Sequence, residues 1–119
     1  MTTLNQNRED FEAWLKSLPP DEYAIAGDCT ECWLAKWFES QGFYVWGVFP
    51  TYQSEYPNSV VIEDPEDEEF NAEDHQVILE DWAFNFGSTF DQKYGSIMFR
   101  GVGTCDRDQA LELLEVIAP

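Results

Sequence analysis

Positive charge is what this chain has least of. Its 119 residues carry 6 Lys and Arg against 24 Asp and Glu, a formal net charge of -18. Gripping a nucleic-acid backbone needs a basic face, so direct binding to DNA or RNA is excluded. Docking on an anionic membrane surface is excluded on the same ground. Long apolar runs are missing too. The longest, Phe43 to Phe49, includes a glycine and is strand-sized, well short of the roughly 18 residues of a membrane span. Met1 to Phe11 is polar and has no apolar h-region, so a cytoplasmic location is expected.

Cysteine and histidine are scarce. Three cysteines make an odd count and point to reduced thiols, not to a disulfide framework. A single histidine would leave most acid–base schemes to carboxylates, and nothing marks two of those as a poised pair. G-x-S-x-G, H-E-x-x-H and a phosphate-cradling glycine loop are all absent; Gly101-Val102-Gly103-Thr104 is too short to count. The chain is therefore not expected to be an enzyme.

What the chain does have is apolar and aromatic area. It is 44% hydrophobic and 16% aromatic, enough to fold, so the charge sits on a folded body and destabilises it by self-repulsion. The length predicts one domain, residues 1–119, with a core that needs no disulfide. Asn7 to Leu18 reads as a helix. Phe11, Trp14, Leu15 and Leu18 form one stripe, Asn7 can cap it, and Pro19-Pro20 ends it. Asp28 to Gln41 reads as a second, central helix, capped by Asp28 and closed by Gly42. Phe43–Phe49, Ser59–Glu63, His75–Leu79 and Ile97–Val102 read as strands. Tyr23 to Gly27 is a weak strand at best. Glu80 to Lys93 is helical by the spacing of Trp82, Phe86 and Phe90, in spite of Gly87, with Gly95 to close it. Asp106 and Gln109 resemble a capping box ahead of a last helix through Leu111, Leu114 and Ile117. No internal repeat is present. The sum is an α+β domain, about four helices packed on a small, mostly antiparallel sheet, expected to be a monomer.

The charge is unevenly spread. Lysine and arginine are absent from Trp37 to Gln92, whereas Glu63 to Asp81 contains ten carboxylates. From Glu63 to Asp74 there is Pro65 and one large apolar residue, Phe70, so the stretch reads as a loop. Like charges about 5 Å apart at an effective dielectric of roughly 40–80 repel by on the order of 1 kcal/mol. A divalent cation between them would remove that repulsion. Calcium suits best, because it takes six to eight oxygens in flexible geometry, whereas magnesium demands a strict octahedron. Candidate ligands are Glu63, Asp64, Glu66, Asp67, Glu69 and Asp74, with Asn71 or backbone carbonyls completing the shell. The site would not be an EF-hand. Counting from Asp67, the turn glycine is Ala72 and the terminal glutamate is Ile78. Two other readings stay open. The loop could be a solvated acidic surface that confers solubility. It could also serve a basic protein partner, with carboxylates standing in for phosphates as in a DNA mimic.

Cys29-Thr30-Glu31-Cys32 is a C-x-x-C at a helix start. Three readings apply: a redox pair, a zinc site with Cys105 and His75, or two small residues packed in the core. His75 by itself reads as a surface strand residue whose acidic neighbours favour its protonated form.

Across most of its length the chain resembles the small acidic calcium-binding proteins of filamentous, heterocyst-forming cyanobacteria. The resemblance is carried by Phe11-x-x-Trp14-Leu15 with Pro19-Pro20, and by Gly27-Asp28-Cys29 leading into Leu34-Ala35-Lys36-Trp37. Trp82-x-x-x-Phe86 and Ala110-Leu111-x-Leu113-Leu114 complete it. It implies an α+β domain that binds calcium through clustered surface carboxylates. It also implies a cytosolic calcium buffer or signalling role connected with heterocyst differentiation. It supplies no ligand set, because sites of that family are not a contiguous motif.

Overall fold

A computed structural model describes residues 4–26, 30–51, 56–63, 75–94 and 103–117. The first helix, α1, runs Arg8–Ser17. Asn7 Oδ1 accepts the Asp10 N–H at 3.0 Å, which satisfies one of the donors a helix start leaves without a partner. Leu18 ends the helix in extended conformation, as the following Pro19 requires. Strand β1, Tyr23–Ala26, follows.

Helix α2 spans Trp33–Ser40, starting later than the sequence predicts. Its N-cap is Cys32, whose Sγ accepts the Ala35 N–H at 3.4 Å. Residues 30 and 31 instead serve the chain reversal after β1, where the Glu31 carbonyl accepts the Ile25 N–H at 3.0 Å. Asp28, the expected cap, lies outside the described residues. The far end is as predicted: Gly42 takes φ +98°, a left-handed conformation open to glycine.

Strands β2, Tyr44–Phe49, β3, Ser59–Glu63, and β4, Gln76–Ile78, form an antiparallel sheet in the order β2-β3-β4. Helix α3, Asp81–Tyr94, follows. Strand β5, Gly103–Asp106, pairs antiparallel with β1, Tyr23 opposite Asp106 and Ile25 opposite Thr104. The strand expected at Ile97–Val102 and the closing Gly95 lie outside the described residues. Helix α4, Arg107–Ile117, opens on the anticipated capping box. Gln109 N–H donates to Asp106 Oδ1 at 2.8 Å, and Asp106 N–H donates back to Gln109 Oε1 at 2.9 Å. The α+β class is therefore correct. The described strands make two small antiparallel sheets instead of one.

The helical stripes converge on one aromatic core. Phe11 is wholly buried, with its ring centroid 5.1 Å from Trp37, 5.4 Å from Trp82 and 5.1 Å from Phe86. Three helices therefore meet at one side chain, and burying it contributes roughly 2–3 kcal/mol. The segment before α1 is tied to the start of α3 through Gln6. Its Nε2 donates to the Ile78 carbonyl, its Oε1 accepts the Glu80 N–H, and its own carbonyl accepts the Trp82 indole N–H. These contacts fix where β4 ends, and so orient the sheet that carries the acidic segment.

Candidate functional site

The acidic segment connects two strands that pair with each other. In β3 and β4, Ser59 stands opposite Ile78, Val60 opposite Val77 and Val61 opposite Gln76. Beyond that ladder the Ile62 N–H donates to the His75 carbonyl at 3.2 Å. The two ends of the connection, Glu63 and His75, are thus held side by side. Hairpin closure reduces the entropy lost when groups along the connection converge. Of the predicted ligands, Glu63 is in the described structure, at the end of β3. Asp64, Glu66, Asp67, Glu69 and Asp74, with Asn71, lie outside the described residues. Among the described residues, no group of three or more His, Cys, Asp and Glu side chains is arranged to hold a metal ion.

Glu63 has partners that the sequence reading passed over. It stands across from Tyr44 on β2, and its Oε2 accepts the indole N–H of Trp46 at 3.2 Å. The Tyr44 and Trp46 rings lie 5.8 Å apart at 69°, edge to face. Both are well exposed, Tyr44 at 60% and Trp46 at 50%. A bulge produces this arrangement. Val45 pairs with Ile62 and Gly47 with Val61, leaving Trp46 as the extra residue. Strict alternation from Tyr44 would turn Val48 outward. The bulge restores Val48 to the core while keeping Trp46 on the outer face. The signal available in sequence was the alternation Phe43, Val45 against Tyr44, Trp46; the bulge itself left none.

Two of the three cysteines are described, and both are buried. Cys32 is buried as the cap of α2. Cys105, on β5, is wholly buried and a free thiol. Burial pushes its pKa up to about 11, and the charge of Asp106 acts in the same direction. The Trp33 indole and the Tyr94 hydroxyl favour the thiolate but do not prevail. Cys29 lies outside the described residues. His75 is half-buried at the mouth of the acidic connection. Packing as small hydrophobes accounts for the two described cysteines.

Protein-family models, characterised proteins and solved structures offer no match to this chain.

A second acidic group surrounds Lys36 on α2. Its Nζ donates to the Tyr23 carbonyl at 2.8 Å and lies 3.8 Å from Glu22. It also sits over the Tyr23 and Trp33 rings at 5.8 and 5.9 Å. Nearby, burial and then the charge of Glu31 raise the pKa of Glu39. In this group an ammonium supplies the counter-charge. No lysine or arginine lies in the sequence from residue 37 to residue 92, so the acidic connection has none from its own sheet. Among the described residues no helix is long and apolar enough to cross a membrane.

Proposed function

We propose that this chain is a calcium-binding protein of the cytosol, with the ion held among the carboxylates of residues 63–74. The observation that supports this best is the β3–β4 pairing with its neck bond between Ile62 and His75. The sequence from the end of β3 to the start of β4 holds eight carboxylates: Glu63, Asp64, Glu66, Asp67, Glu68, Glu69, Glu73 and Asp74. Their repulsion is relieved most simply by a hard cation with many oxygen sites, which calcium is. Glu63 enters the site from a rigid strand and the other ligands come from the connection. The resemblance to the acidic calcium-binding proteins of heterocyst-forming cyanobacteria extends the reading to buffering or signalling ahead of heterocyst differentiation.

Isothermal titration of the full chain in physiological salt tests the proposal. Saturable calcium binding at micromolar to low millimolar concentration is expected, with magnesium much weaker. Stability should rise with calcium by mass action, by about 2.7 kcal/mol at 100 times the dissociation constant. The absence of saturable binding at low millimolar calcium would refute the proposal.

A further inference from the structure

The outer face of the β2–β3–β4 sheet brings Tyr44 and Trp46 beside Glu63, the residue that the proposed ion site shares with this face. Tyr44 and Trp46 expose about half or more of their surface on this face. Large rings exposed to this extent forgo part of the burial that would otherwise stabilise the fold, so their exposure calls for an explanation. Trp46 is held in place on two sides, by the bulge that turns it outward and by its indole bond to Glu63. Tyr44 meets it edge to face. The result is two π-faces next to a carboxylate, on a sheet whose strands contain no lysine or arginine. Glu63 has acceptor capacity left after taking one indole N–H.

We infer that Tyr44, Trp46 and Glu63 form a docking surface for an arginine-bearing segment of a basic protein. Charge complementarity selects the occupant. A second copy of this chain would bring another net charge of -18 to the same face, which opposes self-association. Nucleic acid is excluded by the same sign. A cationic side chain gains from all three residues at once: the ring faces attract it through their quadrupoles, and the carboxylate accepts its N–H groups. Arginine fits better than lysine, because its planar guanidinium stacks on an indole while donating in its own plane. The remaining acidity of the chain would speed the encounter and make it salt-dependent.

The test uses the full chain in EDTA, so that its outcome is independent of calcium. A decaarginine peptide is titrated into 15N-labelled protein at physiological salt, with decalysine alongside. Saturable movement of the Trp46 indole N–H resonance is expected, with decaarginine binding more tightly than decalysine. The double variant Tyr44→Ser, Trp46→Ser should bind decaarginine roughly tenfold more weakly, the scale of losing an aromatic anchor. Unchanged affinity in that variant would overturn the inference, because the peptide would then be held by diffuse charge alone. An unmoved Trp46 indole resonance at saturation of the native chain would overturn it equally, whether or not the double variant folds.

Discussion

Gly87 and Pro50 touch where α3 crosses the end of β2. A Cβ built on Gly87 would lie 2.8 Å from Pro50 Cβ and 3.2 Å from Leu34 Cδ1. This contact explains a glycine in the middle of a helix whose other signals are strong. The helix approaches closely enough that a methyl group has no room, and a proline ring cannot rotate away.

Gly87→Ala should therefore destabilise the fold, although helix propensity alone favours alanine by about 1 kcal/mol. Overpacking of a rigid contact costs roughly 1–3 kcal/mol, so the net sign is a loss. Urea unfolding of the variant measures it; a raised midpoint would mean that Pro50 yields. Gly103 makes a closer approach. A Cβ there would overlap the Tyr94 carbonyl oxygen, so α3 and β5 would have to separate. Gly103→Ala is expected to lose roughly 3 kcal/mol or more, clearly more than Gly87→Ala in the same assay.

The capping box at α4 gives a smaller, cleaner effect. Removing the Asp106 oxygen that accepts the Gln109 N–H should cost about 1 kcal/mol. Gln109→Glu keeps an acceptor for the Asp106 N–H and adds negative charge in the first turn, so stability should hold. Equal losses in Asp106→Ala and Gln109→Glu would show that the reciprocal bonds are not what stabilises this helix start.

Cys105 makes stability depend on alkaline pH. Its thiol rises from an ordinary value of 9.0 to about 11 in the folded chain, chiefly through burial. The unfolded chain therefore releases this proton first. Below pH 9 both states keep the proton and the site does not favour unfolding. Between about 9 and 11 the unfolded state is increasingly favoured. Cys105→Ala should flatten this part of the pH–stability curve, apart from the loss expected for a buried side chain. In the native protein at pH 8, Cys105 should react with a thiol reagent far more slowly than after unfolding. Rapid labelling of native Cys105 would contradict this account.

Replacing Asp64 and Asp67 by asparagine and Glu69 by glutamine separates the two effects of the acidic connection. Without calcium the triple variant should melt higher than the native chain, because each close like-charge pair relieved is worth on the order of 1 kcal/mol. With calcium the order should reverse, since the native chain gains stability and the variant does not. A variant that keeps the full calcium response would place the ion on other carboxylates.

The legible parts of this fold were those with local causes. The stripe Phe11, Trp14, Leu15, the Asn7 cap and the Asp106–Gln109 box each depend on residues three or four apart. All appear where the sequence puts them. The start of α2 was misplaced because Cys32 took the capping role expected of Asp28. A thiol is a weak acceptor and gives little capping signal. Of the candidate metal ligands, Glu63 is the one the structure describes. Its bond to Trp46 was hidden from sequence by the bulge between them.

The sequence by itself determined the sign and location of the charge, the class of the fold and the residues that fill its core. It did so because composition and short-range periodicity act within a few residues. Only the tertiary structure decided that β1 pairs with β5 across some eighty residues, and that β3 and β4 bring Glu63 and His75 together. It also decided that Tyr44, Trp46 and Glu63 share one face. Strand pairing and bulge placement are settled by which long-range partners close the core at least entropic cost, and no local pattern in the chain encodes that choice.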